Sequence, residues 1–369
     1  MTQRDLGKTS LRVSPIGLGG MGFVARSMSR DRAEALIRRA LELGVNLFDT
    51  ARGYYDSERI LGLALRPGEG IIASKSFLRS AGGIRKELAE SLRMLRRDSL
   101  DIYQVHHIQY RHELEQILRA DGALGALAKA RSEGLVRFIG VSGHRPQLLL
   151  ECLDLGVFDL VQFPFNPIEQ DAFSPVLDKA QTLGIGTLVM KPFAGGALRN
   201  TDACLRFALS FPVSSVLVGC SSIQELESDV AVAGSAAVVA PEELARVKEE
   251  IRALDEPFCR RCRYCESNCP QGIPVSEVFR AESYLIMNAT YARDEYRRLG
   301  RPATRCEACG QCEERCPYRL PVREMLRRAH ERLTRGKLED AAVKVLRRLG
   351  LYDVARRIYF RLGGPLPKR

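Results

Sequence analysis

IRKELAESLRMLRRDSLDIYQVHH, residues 84–107, runs a charged amphipathic stretch straight into a short β-like one. In IRKELAESLRML the apolar residues recur every three to four positions, which gathers them on one face of a helix. DIYQVHH is short, mixes β-branched and aromatic side chains, and closes on two histidines, which suits a strand. The alternation continues in both directions. Strand-like runs are VNLFDT, GIIASK, DIYQVHH, VRFIGVS, DLVQFPF, GTLVMK and SSVLVGC. Helical runs such as RAEALIRRALELG and ELEQILRADGALGALAKARSEG lie between them, several ending on glycine as C-caps do. Up to about residue 235 the pattern predicts an α/β fold, a parallel barrel ringed by helices. An open doubly wound sheet is the alternative. GLGGMG, Gly17 to Gly22, is not expected to open a helix as the phosphate-binding fingerprint of such a sheet requires.

At 369 residues and 45% hydrophobic, the chain is long enough for about two domains. No apolar run approaches the roughly 18 to 20 residues of a membrane helix, the longest lying near AVAGSAAVVA. MTQRDLGKTS holds no apolar leader, so the chain is expected to be soluble and cytoplasmic, where thiols stay reduced. The positive charge is concentrated. From Arg319 to Arg369 there are 15 Lys and Arg against 5 Asp and Glu, a net +10 out of +11 for the whole chain. This tail reads as two or three amphipathic helices. It is either a solvated helical face or a docking surface for an acidic redox partner such as a ferredoxin or flavodoxin. Nucleic acid is disfavoured, since no base-stacking or groove-reading motif accompanies the arginines.

The cysteines carry the strongest chemical signal. CRRCRYCESNCP places Cys259, Cys262, Cys265 and Cys269 before Pro270, and CEACGQCEERCP places Cys306, Cys309, Cys312 and Cys316 before Pro317. Both read C-x2-C-x2-C-x3-C-P, the pattern of bacterial ferredoxins, which implies two 4Fe-4S clusters. From that pattern the fourth cysteine of each run is expected to ligate the other cluster. Cys259, Cys262, Cys265 and Cys316 then hold one, and Cys306, Cys309, Cys312 and Cys269 the other. A zinc ribbon would leave half of these cysteines unused, and a disulfide framework suits small secreted domains. Cys152, Cys204 and Cys220 sit in apolar contexts and read as small core residues. Between the repeats, VSEVFRAESYLIMNATYARDEYRRL is a long helical run, so the cluster domain should be mostly helical. The expected boundaries are 1–255 for the barrel, 256–325 for the two-cluster domain and 326–369 for the basic tail.

In a parallel barrel the chemistry lies at the C-terminal ends of the strands. Asp49 ends VNLFDT, Lys75 ends GIIASK, His106 closes DIYQVH, and Tyr54 follows Asp49 on its loop. A charge at the close of an apolar strand is costly unless paired or used. A lysine beside an aspartate is satisfied, and a tyrosine beside that lysine should have its pKa lowered, which suits a proton donor. Asp49 and Lys75 alone could be a structural ion pair, and His106 alone a satisfied core histidine. Together, on successive strand ends, they read as a site. Tyr55 and His107 are the competing neighbours.

NLFDTARGYYDSERILG, IIASKS and DIYQVHH resemble the aldo-keto reductase family over roughly residues 4 to 235, and the whole chain resembles its ferredoxin-containing members. The resemblance implies a TIM barrel in which Tyr54 protonates a carbonyl oxygen, Lys75 paired with Asp49 tunes Tyr54, and His106 orients the carbonyl. It also implies a nicotinamide cofactor as the hydride source. Ser142 and Gln162 match the positions that hold its carboxamide, although Gly143 stands where many members have asparagine. Met190, before Lys191, replaces an aromatic ring that often stacks on the nicotinamide. Ser221 and Ser222 begin a helix where the cofactor phosphates should sit. Glu225 stands near a position where a basic residue often grips the 2′-phosphate, so NADH is expected over NADPH.

Hydride moves two electrons, whereas each cluster passes one. A flavin could bridge the two, and the pocket bordered by Gly143, Met190 and Lys191 leaves that open. Three readings follow. The first is an oxidoreductase acting on a small carbonyl or alcohol with electrons exchanged through the clusters. The others are an ordinary NAD(P)H carbonyl reductase with structural clusters, and an electron-transfer module with a silent barrel.

Overall fold

The computed structural model describes residues 1–25, 28–196, 198–235, 239–252, 259, 261, 263, 265–266, 269–286, 289–300, 302–316 and 319–334. The chain divides into two units, Met1–Ala253 and Leu254–Arg369.

In the first unit eight strands close a parallel barrel: β1 (Ile16–Gly19), β2 (Leu47–Asp49), β3 (Ile71–Ser76), β4 (Leu100–Ile108), β5 (Val136–Gly143), β6 (Leu160–Pro164), β7 (Gly186–Met190) and β8 (Ser215–Val218). Neighbours in sequence pair in order, and β8 pairs with β1 to complete the ring. Seven of these strands stand where the alternation places them. β1 is the eighth, and it lies inside the glycine-rich run. A Cβ on Gly17 would come within 2.8 Å of Leu217 and 3.0 Å of Leu47, so this strand gives up its side chain to its neighbours' leucines and with it the usual β signal. The expectation that GLGGMG opens no helix is corrected here, because a short helix, Met21–Ala25, follows β1 directly. It lies so close to the end of β8 that a Cβ on Gly22 would sit 2.9 Å from the backbone of Gly219 and Cys220.

Strand alternation divides the apolar residues into two layers. Leu47, Ala73, Ile102, Leu160, Leu188 and Leu217 cluster with Leu6, Leu11 and Val13 from an N-terminal antiparallel pair, Arg4–Asp5 with Arg12–Val13. The outer layer packs against helices such as Arg30–Glu42 and Ala81–Leu95 and contains Phe48, Leu88, Tyr103, Phe163 and Phe173. Each fully buried leucine or phenylalanine contributes roughly 1.5–3 kcal/mol. Ser29 and Ser80 accept backbone bonds as N-caps of those two helices. The long stretch at residues 113–134 is split into Arg111–Leu118 and Ala123–Ser132. A Cβ on Gly122 would lie 2.5 Å from the carbonyl oxygens of Gln116 and Ile117, so the chain turns there. Cys152, Cys204 and Cys220 are buried.

The second unit is built from Val275–Ser283, Ala289–Arg298 and Val322–Thr334, with shorter helical turns between them. The single helical run expected between the cysteine repeats is interrupted by a 3-10 turn at Tyr284–Ile286. Its core gathers Ile273, Val275, Val278, Phe279, Tyr296, Val322 and Leu326 around Cys265 and Cys312. Among the described residues no helix is long and apolar enough to cross a membrane. Most of the basic tail, residues 335–369, and Cys262 lie outside the described residues.

Candidate functional site

β2 and β3 are neighbours, with Asp49 paired in register to Ala73, so Lys75 extends beyond the end of β2 at the barrel mouth. Its ammonium donates to Asp49 Oδ1 at 2.6 Å, Asp49 Oδ2 at 2.7 Å and the Thr50 carbonyl at 2.8 Å. All three donors are used. Lys75 is 1% exposed and Asp49 3%. Burial pulls the lysine below its ordinary pKa and pushes the aspartate above its own, while their mutual attraction opposes both shifts. The ammonium lies 5.0 Å from the centre of the Tyr54 ring. A cation at that distance is attracted to the face of the ring.

β4 carries the histidines on an irregularity. Its pairing with β5 shifts register between Val105 and Ile108, and His107 adopts φ 56°. Such a bulge breaks the strict alternation of a strand. His106 stacks on Phe77, with ring centres 4.0 Å apart, and meets Tyr54 edge-on at 5.6 Å. Burial first, and the Lys75 charge next, hold its pKa well below the ordinary value, so its imidazole is neutral at neutral pH. His106 Nδ1 has no hydrogen-bond partner among the described residues. His107 takes another path. Its Nδ1 lies 2.9 Å from His144 Nδ1, its Nε2 lies 2.7 Å from Gln109 Oε1, and its backbone N–H donates to Ser142 Oγ at 2.9 Å. The half-buried Arg79 guanidinium donates to the carbonyls of both His106 and His107 and fastens the bulge.

Asp49, Tyr54, Lys75 and His106 therefore come together in one cluster. Gln162 lies beside them on β6, where its Oε1 accepts from Gln104 Nε2 at 2.7 Å and its Nε2 lies 3.9 Å from Met190 Sδ. Ser142, beside it on β5, pairs in register with Gln162. A Cβ on Gly143 would lie 3.0 Å from the Ile108 carbonyl and from Leu149, which accounts for the glycine. Lys191 follows β7 at φ 58°, and Asn166 Nδ2 donates to its carbonyl at 3.0 Å. Ser222 caps the helix Ile223–Gly234, accepting from the Glu225 N–H. Ser221 donates both its N–H and its hydroxyl to the Glu225 carboxylate, at 2.8 to 2.9 Å. An anion arriving at this N-terminus would meet that carboxylate.

Phe77, Arg79 and His144 were not singled out from sequence. Of these, the basic character of Arg79 close to β3 was the one available signal.

In the second unit the two cysteine repeats take matching backbone angles at three pairs of described positions. Arg261, Arg263 and Gly272 adopt φ of 57°, 71° and 56°, while Ala308, Gly310 and Arg319 adopt 55°, 83° and 50°. Each of the second set lies 47 residues after its counterpart, as Cys306 does after Cys259. Glu266 and Glu313 occupy matched places, and their carboxylates accept from the matched backbone N–H groups of Ser276 and Arg323 at 2.8 and 2.9 Å. Backbone N–H groups also reach sulfur, from Arg261 to Cys259 Sγ and from Ile273 to Cys269 Sγ, both at 3.4 Å. One concavity is lined by Cys306, Cys309 and Cys312 together with Cys269, and by Ile273, Val275 and Leu326. The four thiols and inward-turned amides fit an iron-sulfur cube.

Residues 15–203 match the aldo/keto reductase family, and residues 258–321 match the 4Fe-4S dicluster domain. The chain is 30% identical over 308 residues to L-galactose dehydrogenase of Arabidopsis thaliana, an alignment covering 69% of this chain and 94% of that one. It is 27% identical over 295 residues to 6-dehydroglucose reductase of Novosphingobium aromaticivorans, covering 71% and 93%. An aldo-keto reductase of Bacillus halodurans in its holo form shares the fold, with a TM-score of 0.60 and 24% identity over 68% of this chain and 96% of that one.

Proposed function

Since the chain belongs to the aldo/keto reductase family and carries a 4Fe-4S dicluster domain, we propose that it interconverts a carbonyl and an alcohol at the barrel mouth and exchanges electrons through two clusters. The observation that carries the first half is the Lys75 ammonium, clasped by Asp49 and 5.0 Å from the Tyr54 ring, beside a neutral His106. Tyr54 holds the proton that goes to the carbonyl oxygen, and its phenolate is stabilised by Lys75. His106, uncharged, orients that oxygen by a hydrogen bond without adding a competing positive charge. Ser142 and Gln162 hold the carboxamide of a nicotinamide, whose bound form supplies the hydride. Ser221 and Ser222 hold its phosphates and Lys191 borders the pocket. The Glu225 carboxylate at that helix start favours NADH over NADPH, because a 2′-phosphate would be repelled.

Supporting the second half, two runs of four cysteines take matching backbone angles at their described positions, with four non-glycine residues, Arg261, Arg263, Ala308 and Arg319, in the left-handed region. Each such residue costs roughly 1–2 kcal/mol, which the fold carries where it needs amides turned toward a ligand. A flavin at the barrel mouth would reconcile hydride with single electrons, and Met190 with Lys191 border the space for it. The substrate is a small carbonyl compound, in keeping with relatives named for a sugar and a dehydroglucose. A soluble cytoplasmic setting and an acidic ferredoxin or flavodoxin partner at the basic tail complete the reading.

The test is anaerobic stopped-flow reduction of the clusters by NADH and by NADPH, with and without added flavin, on protein whose iron, sulfide and extractable cofactor have been assayed. Cluster bleaching by NADH, faster than by NADPH, is the expected result. Carbonyl reduction with clusters that never bleach would reduce the function to an ordinary reductase.

A further inference from the structure

Ile102 and Leu160 belong to the apolar layer inside the barrel, and one step nearer the mouth the same faces of β4 and β6 carry two amides, Gln104 and Gln162. Gln104 is 0% exposed and Gln162 1%. Their strands do not pair with each other. Between them β5 places Gly140, in register with Gln104 on one side and Leu160 on the other, where a Cβ would lie 2.8 Å from Gln104 Cγ and 2.9 Å from Leu160 Cγ. The missing side chain lets Gln104 reach across β5, and its Nε2 donates to Gln162 Oε1 at 2.7 Å.

For stability alone an amide is a poor choice at position 104. Its Oε1 is buried with no hydrogen-bond partner among the described residues, a cost that an apolar side chain of similar shape would avoid. Its N–H, by contrast, has a use. A terminal amide turns about a broad two-fold torsion, so Gln162 has two ways to present its oxygen and its nitrogen. By occupying Oε1, Gln104 selects one of them, with Nε2 on the side of Met190, the half-buried last residue of β7. Met190 Sδ, 3.9 Å away, is a weak acceptor that a carbonyl oxygen would displace. Ser142, in register with Gln162, accepts the His107 N–H at its Oγ and keeps its hydroxyl hydrogen to donate.

Resting on the reading that Ser142 and Gln162 hold the nicotinamide carboxamide, we infer that Gln104 is a positioning residue for that cofactor. It fixes the Gln162 amide with its nitrogen toward the carboxamide, so that Gln162 and Ser142 both donate to the carboxamide oxygen. Gln104 acts through Gln162 and touches no cofactor itself. With glycine at position 143, the fixed orientation of Gln162 carries more of the recognition at this end of the cofactor.

The test is equilibrium binding of NADH and of ADP-ribose, which lacks the nicotinamide, to the anaerobically prepared full chain and to Gln104→Met, Gln162→Met and the double variant. Methionine keeps the length of glutamine at position 104 and removes the donor. Gln104→Met should weaken NADH binding roughly 3- to 10-fold and leave ADP-ribose binding unchanged. The double variant should bind NADH no more weakly than Gln162→Met alone, because the two residues act in series. Should Gln104→Met not fold, Gln104→Asn, one methylene too short to reach Gln162, carries the test with the same expectation. Equal weakening of NADH and ADP-ribose would show a merely structural role and overturn the proposal. So would unchanged NADH binding by Gln104→Met when Gln162→Met weakens it. NADH binding that Gln162→Met itself leaves unchanged would instead overturn the carboxamide reading, and the role of Gln104 with it.

Discussion

Tyr54 is the residue whose loss should separate chemistry from folding. Its ring is partly buried against the barrel core, and the Lys75–Asp49 pair beneath it is bonded independently of its hydroxyl. Tyr54→Phe should therefore lower the rate of carbonyl reduction by roughly 10²- to 10⁴-fold, with an unchanged melting temperature, in a steady-state assay beside thermal unfolding. Asp229 makes a pH-dependent prediction. Burial raises its pKa to about 7, with Cys220 Sγ donating to it at 3.5 Å. The folded chain then holds a proton that an unfolded aspartate releases near pH 4, so this residue's contribution to stability is lost as pH rises from about 4 through 7. Asp229→Asn keeps the hydrogen bond and should raise the melting temperature more at pH 8 than at pH 5. An equal shift at both pH values would refute the assignment. At this scale the sequence showed Asp49, Tyr54, Lys75 and His106 because charged groups closing apolar strands are conspicuous. Phe77 and His144 were hidden, since their roles depend on a bulge in β4 that no residue pattern announces.

Among the elements, the helix Ser57–Ala64 approaches the end of Ala81–Leu95 so closely that a Cβ on Gly62 would lie 2.2 Å from the Met94 carbonyl. Gly62→Ala should destabilise the barrel by roughly 1–3 kcal/mol in urea denaturation. The same change at Gly82, in the first turn of Ala81–Leu95 with nothing within 4 Å, should stabilise it by about 0.4–1 kcal/mol. Opposite signs for one chemical change would show that contact, and not helix propensity, governs Gly62. Seven barrel strands were legible because their β-branched runs alternate with amphipathic helices. β1 was not, as Gly17 and Gly19 yield their space to β2 and β8. The breaks at Gly122 and at Tyr284–Ile286 were equally silent, since periodic apolar residues continue across both.

Across the whole molecule the two units have separate apolar cores, one in the barrel layers and one around Cys265 and Cys312. Metal removal should act on the second alone, because ligand binding there contributes folding energy directly. Chelating the iron should speed amide exchange in Val275–Ser283 and Val322–Thr334 while leaving β1 to β8 as protected as before, measured by hydrogen–deuterium exchange. The cysteine spacing made this unit's chemistry readable, but not its shared left-handed positions, which depend on φ.

β8 pairs with β1, so the barrel presents no open strand edge. Among the described residues the remaining strands, Arg4–Asp5 and Arg12–Val13, are two residues long. Recruitment by strand addition therefore has no template on this barrel, and edge-to-edge polymerisation is denied the same foothold. Any protein that docks there must read side chains on helices and loops.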